Sequence, residues 1–163
     1  MANLIARCEQ DSMFVDYEKF YKYLKDKHYA EKIYIFSGYF AKRESEYAQN
    51  ASYGYTYIFK EAVFNKDESK IKANCDVDIT IKCIHDSFEE ERGFTRILIS
   101  SDGDFANMLK YLIQKNINTK IISPAPPERC SYLLKKLNVQ TIYLKQIIHH
   151  FRNEKALNGD DTP

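Results

Sequence analysis

The stretch ILISSDGDF, residues 97–105, ends an aliphatic run with two aspartates, Asp102 and Asp104, that share one glycine. Carboxylates placed this close repel one another, and a divalent cation is the usual partner that offsets the repulsion. A second acidic pair, Asp76 and Asp78, opens the segment CDVDITIKCIHD. Hard cations such as Mg²⁺ or Mn²⁺ take oxygen ligands and keep several waters, so carboxylates from two such pairs suffice to hold one. Each aspartate also has a plainer reading, because Asp76 and Asp104 both stand where a helix N-cap would. A zinc site is not expected. Cys8, Cys75, Cys83 and Cys130 form no Cys-x-x-Cys pair, and His28, His85, His149 and His150 show no ligand spacing.

The elements that must position these groups alternate along the chain. Asp16 to Lys27 carries Tyr17, Phe20, Tyr21 and Leu24 at helical spacing behind an N-cap aspartate. Strands are expected over Lys32–Phe40 and Tyr55–Phe64, with a polar helix over Lys42–Ala51 between them and the charged loop NKDESKIKAN after them. The segment from Asp76 fits a strand or a helix. A helix is preferred because Val77, Ile81, Ile84 and Phe88 keep helical spacing and the acidic pair then lies in the first turn, where the dipole favours it.

Beyond it, a strand is expected over Arg96–Ser101. A helix over Asp104–Lys115 then aligns Phe105, Met108, Leu109, Leu112 and Ile113 on one face. There follow a strand over Lys120–Ser123, the turn PAPP, a short helix over Arg129–Leu137, a strand over Gln140–Leu144 and a helix over Lys145–Glu154. Residues 1–155 read as one domain, and Ala156–Pro163 as a disordered tail. The alternation predicts an α/β fold, a parallel sheet with helices on both faces, whose ligands sit outside the carboxyl ends of the strands. SSDGDF lies at such an end.

Composition bounds the partners. The chain has 163 residues, 44% hydrophobic and 29% charged, as a globular protein does, and no apolar run long enough for a membrane span or signal peptide. With 24 Lys and Arg against 23 Asp and Glu, net charge is silent about nucleic acid, and any affinity must come from a local patch. The cysteines read as reduced thiols of a cytoplasmic protein. Thirteen tyrosines, several alternating with aliphatics, suggest strand packing. Oligomeric state, a homo-oligomer included, is left open.

Asp-x-Asp serves other enzymes too, but haloacid-dehalogenase-type phosphatases carry it early in the chain and the glycosyltransferases that use it are longer. The better match is broader. CDVDITIKCIHD, then RILISSDGDFANMLKYLIQKNINTKIIS, then CSYLLKKLN, with DYEKFYKYLKDKHYAEKIYIFSGYF upstream, resemble the NYN branch of the PIN-like ribonuclease superfamily over nearly the whole chain. Ser101 stands where that family has Gly, and Ala73-Asn74 where Gly is common.

The resemblance implies a Rossmann-like fold and a metal-dependent nuclease acting on RNA, with Asp76, Asp102 and Asp104 as catalytic ligands of Mg²⁺ or Mn²⁺. Asp78 joins the metal set as an auxiliary acid, or else faces solvent. Single-stranded RNA is the expected partner. Its candidate contacts are Asn3 and Ser101 within the motifs and Lys70, Lys72 and Arg129 beside them, with Lys60, Lys66, Lys135 and Lys136 as further cations. The family also begins with a strand ending Asp-Gly-x-Asn-Leu, whose Asp is a ligand. Here Asn3-Leu4 match its end and Met1 takes the Gly position, so the first strand and its Asp are expected upstream of this sequence. The alternative is a chain that lacks them, and with it a non-catalytic module that binds RNA or a protein.

Overall fold

The computed structural model describes residues 15–60, 63, 64, 71, 72, 74–89 and 93–152. Asn3, Lys66, Lys70 and the tail from Ala156 lie outside these residues, and Lys72 is described in its backbone alone. The chain is an α/β protein whose longer strands pair in parallel, and its contacts divide into two compact units. Among the described residues no helix is long and apolar enough to cross a membrane.

The first unit runs to Cys75 and takes in the chain from Ile148 onward. Its first helix, α1 (Tyr17–His28), starts as expected at Asp16, whose side chain accepts from the Lys19 N–H at 3.0 Å. It buries Phe20 and Leu24, and the Phe20 ring meets Phe151 at 4.6 Å between centroids. Strand β1 (Tyr34–Gly38) pairs in parallel with β2 (Thr56–Lys60), and α2 (Glu44–Ser52) connects them after a short 3-10 turn, Ala41–Arg43.

Of the expected strand Tyr55–Phe64, Thr56–Lys60 forms β2. Val63–Phe64, β3, pairs antiparallel with Ile71–Lys72, β4, so the segment anticipated as a loop contributes a strand of its own. Alternation of apolar side chains carries no information about which partner a strand will find, so the two pairings read as one run.

Tyrosines fill this unit for a structural reason. Tyr55 packs edge-on against Tyr17 and Tyr21, and its hydroxyl donates to the Tyr17 carbonyl at 2.9 Å. Tyr47 and Tyr57 pack at 5.1 Å between centroids, and buried Asn50 donates to the Tyr57 hydroxyl at 2.8 Å. The rings of Tyr47, Tyr55 and Tyr57 bury apolar area while their hydroxyls find partners.

The second unit, Asp76 to Ile147, carries the acidic motifs. Helix α3 (Asp76–Glu89) leads to β5 (Arg96–Ile99), a 3-10 turn Gly103–Phe105 leads to α4 (Ala106–Gln114), and β6 (Thr119–Ser123) follows. A four-residue helix α5 (Tyr132–Lys135), strand β7 (Gln140–Tyr143) and helix α6 (Leu144–Ile147) complete it. The helices expected over Arg129–Leu137 and Lys145–Glu154 are thus shorter, the second passing into a 3-10 turn over Ile148–His150.

The strands lie in the order β5, β6, β7, all parallel, with Ile97 opposite Lys120 and Ile121 opposite Thr141. Phe105, Met108, Leu109, Leu112, Ile121, Cys130 and Leu134 form the core, and Ile79, Cys83, Ile84 and Leu98 pack against it. Ile113 stays 38% exposed, off the expected buried face.

The segment from Asp76 is a helix, as its spacing predicts, and Ile84 of that stripe packs against the core. Val77, Ile81 and Phe88 point outward, at 62%, 61% and 50% exposure, whereas Ile79 and Cys83 face the core. Both stripes have helical spacing, and only packing selects between them.

Burial pushes the Tyr55 phenol well above its ordinary value of 10.0. Its ionisation is therefore easier in the unfolded chain, so stability present below pH 10.0 is lost as pH rises past that value. Urea unfolding followed from pH 7 to 11 should show a flat plateau and then a decline, steepest toward about 1.4 kcal/mol per pH unit per buried phenol. Tyr55→Phe should lose about 1 kcal/mol at neutral pH through the Tyr17 hydrogen bond and decline less steeply above the plateau.

Candidate metal centre

Strand β5 ends at Ile99, and the chain leaves the sheet through Ser100 and Ser101. Ser100 is buried, and its hydroxyl accepts from the Asp102 N–H at 3.1 Å. Asp102 has extended backbone and caps the following 3-10 turn, its Oδ1 accepting from the Asp104 N–H at 3.0 Å. The capping role expected for Asp104 thus falls to Asp102. Phe105, 2% exposed, closes the turn by dropping its ring into the core. The loop is held at both ends, by a buried serine and a buried phenylalanine.

Asp76 arrives from a different element. It begins α3 and shares a face with Ile79, Cys83 and Ser87, since residues 3, 7 and 11 further along return to the same side at about 100° per residue. That face packs inward. Its far end is clipped by Arg96, whose guanidinium donates to Ser87 Oγ at 2.9 Å and to the Asp86 carbonyl. Asp86 and Ser87 are 6% and 7% exposed, and Lys82 also pairs with the Asp86 carboxylate. Eleven helical rises span about 17 Å, close to the roughly 20 Å covered by six strand rises from Arg96 to Asp102. Clipping one end of α3 to the start of β5 therefore delivers Asp76 to the loop beyond the end of β5.

The result is one group. Oxygens of Asp76, Asp102 and Asp104 lie within 4.8 Å of one another, the first two half-buried and Asp104 exposed. Opposed ligands of an octahedral Mg²⁺ stand about 4.2 Å apart, twice a bond of ~2.1 Å, so the group needs only small closure to fit such a cation. Asp78 stays outside it. It is two residues beyond Asp76 and so about 200° round the helix.

Gly103, between the two aspartates, is there for space rather than for backbone freedom, because its φ is not positive. A Cβ at this position would overlap Ser131 Oγ, lie 3.2 Å from Ser131 Cβ and 3.4 Å from Leu133 Cδ1. The Ser131 N–H also donates to the Ser101 carbonyl at 3.2 Å, and its hydroxyl caps α5 by accepting from the Leu133 N–H at 3.3 Å. Ser101, Arg129, Lys135 and Lys136 belong to this unit, and the last three are exposed. Lys60, in the first unit, donates to the Asn74 carbonyl at 2.9 Å.

Ser100, Ser131 and Arg96 position the group but were not singled out in the sequence. Ser131 directly before Tyr132-Leu133-Leu134 was legible as a helix cap, whereas its contact with Gly103 was not.

A family model for the NYN domain matches residues 1–145. No curated protein matches the chain. Among solved structures, the chain is similar to a protein of unknown function, VPA0982, from Vibrio parahaemolyticus. The two are 19% identical with a TM-score of 0.72, covering 93% of this chain and 90% of that one.

Two outcomes are expected. Carboxylates confined to this spacing should bind Mn²⁺ in the native state only, so millimolar Mn²⁺ should raise the melting temperature and Asp102→Asn should reduce the rise. An unchanged melting temperature for wild type would show that the group holds no cation. Gly103→Ala should cost about 1–3 kcal/mol of stability by overpacking against Ser131. Adding Ser131→Gly should recover part of that loss, as measured by urea unfolding.

Proposed function

Because the chain belongs to the NYN domain family, we propose that it is a metal-dependent ribonuclease whose Asp76, Asp102 and Asp104 hold Mg²⁺ or Mn²⁺. The observation that carries the reading is the convergence of three carboxylates, from a helix start and a strand end, within 4.8 Å. Each pair at that distance repels by about 3 kcal/mol at an effective dielectric of about 20, before solvent screening of the exposed member. A hard divalent cation bound there would offset that repulsion, acidify a water and neutralise charge gathering on a phosphodiester.

The chain's own groups do the placing. Asp76 and Asp102 are half-buried and fixed by the α3 packing and by Ser100, so they define the inner wall. Asp104 is the exposed carboxylate, open to water and to substrate. Hydrolysis joins the water oxygen to phosphorus, breaks one phosphorus–oxygen ester bond and passes a proton to the leaving oxygen. RNA is the proposed substrate, with Arg129, Lys135 and Lys136 as cations on the same unit to meet its phosphates. On this reading residues 1–155 act as one NYN domain. Cys83 and Cys130 are free thiols, which suits a reducing cytoplasm.

The test is cleavage of end-labelled single-stranded RNA by the purified chain in Mn²⁺ and in chelator. Cleavage should need the cation. Asp102→Asn should lower it by more than the roughly 10–100-fold that follows loss of a group merely supporting a ligand. Cleavage that persists in chelator, or in Asp102→Asn, would reject the site. A wild-type chain that binds RNA without cutting it would favour a non-catalytic binding module.

A further inference from the structure

The first unit is closed by a segment from far along the chain. Residues 148–152 follow α6 and return to α1 through Phe151, which is fully buried. Its ring meets Phe20 at 4.6 Å and Tyr23 at 5.3 Å between centroids. Two backbone contacts complete the return. The Asp16 N–H donates to the Phe151 carbonyl at 2.9 Å, and Val15 forms an antiparallel bridge with Arg152.

Beside Phe151 the contact with α1 is a stack of titratable rings. His150 is exposed and lies along the Tyr23 ring at 5.3 Å, with 26° between the planes. His149 lies 4.0 Å from His150, and Tyr23 meets His28 edge-on at 5.6 Å. Helix α1 packs against this turn, and the charges that act on His150 are His149 and, from α1, Lys27. Both are basic. The Asp16 carboxylate, at the start of α1, accepts from the Lys19 N–H instead. Desolvation, then His149 and Lys27, hold the His150 imidazole below its ordinary value of 6.5. The Tyr23 ring can carry one imidazolium, because an aromatic face attracts a cation. A second one, 4.0 Å away, is repelled by the first.

We propose that residues 148–152 are an acid-sensitive strap. With His149 and His150 both protonated, the strap lifts from α1 and draws Phe151 away from Phe20. The neutral His150 ring is the form that docks, so docking has its full strength above pH 6.5 and weakens as pH falls below that value. The device lies within the first unit and uses none of the clustered carboxylates, so it stands or falls apart from the ribonuclease reading.

Amide hydrogen exchange of the full chain, followed by NMR from pH 7.5 to 5.0 and corrected for the intrinsic rate at each pH, tests the strap. Protection of the Asp16 N–H should fall by about tenfold, the linkage of one pKa unit. Protection of the Arg96 N–H, which donates to the Asn118 carbonyl in the second unit, should hold. His149→Asn combined with His150→Phe removes both charges and keeps a ring on Tyr23, and its Asp16 amide should be flat over the same range. Lys27→Gln, an exposed change that leaves every ring in place, should reduce the fall. An Asp16 amide that is flat in wild type overturns the proposal. So does an equal loss at Arg96, or a fall that neither variant reduces.

Discussion

Three carboxylates kept within 4.8 Å of one another push apart, and much of the second unit works against that push. Asp102 cannot swing away because its N–H is tied to buried Ser100 and its Oδ1 to the Asp104 N–H. The turn cannot lift because Phe105 is sunk in the core on one side and Gly103 lies against Ser131 on the other. Asp76 cannot recede because α3 is pinned through Ile79 and Cys83 and clipped by Arg96 at its far end. The scaffold is specific because the load is electrostatic and local. Relaxing any one of these supports would let the acids separate into solvent.

That arrangement gives the buried polar residues a purpose. Asp86 and Ser87 are nearly inaccessible, and burying such groups is costly unless they are paired. Both meet Arg96, and the Asp86 carboxylate also meets Lys82. Arg96 begins β5 while Asp102 lies just beyond its end, so one strand sets both limits of α3. The hydrogen bonds at the closed end of the helix thereby fix the position of a carboxylate about 17 Å away. Burial also pushes the Cys83 thiol up, against the pull of Arg96, which keeps a neutral side chain on the packed face of α3.

The surface beside the acids is built by the same contacts. Because Gly103 has no Cβ, Ser131 can reach the loop, and because Ser131 caps α5, Tyr132 and Leu133 follow immediately at the rim. Gly103 and Ser131 are therefore one structural device, with exposed Tyr132 and Leu133 directly after it.

What the sequence by itself determined was the set of elements and the chemistry at their ends. Aliphatic runs closed by SSDGDF and by PAPP have strand character, and acids behind a strand and at a helix start are legible because both placements follow from local rules of capping and alternation. Its similarity to the NYN family was carried by those same segments.

Tertiary structure decided which acids meet. Asp76 and Asp78 look equivalent in the chain, yet it is Asp76 that comes within 4.8 Å of Asp102 and Asp104, and no periodicity distinguishes the stripe of Ile79 and Cys83 from that of Val77 and Ile81. It likewise decided that β3 pairs with β4, that Gly103 answers to Ser131, and that Tyr132 stands in the open. These depend on contacts between residues far apart in sequence, and local propensity has no term for a partner it has not yet met.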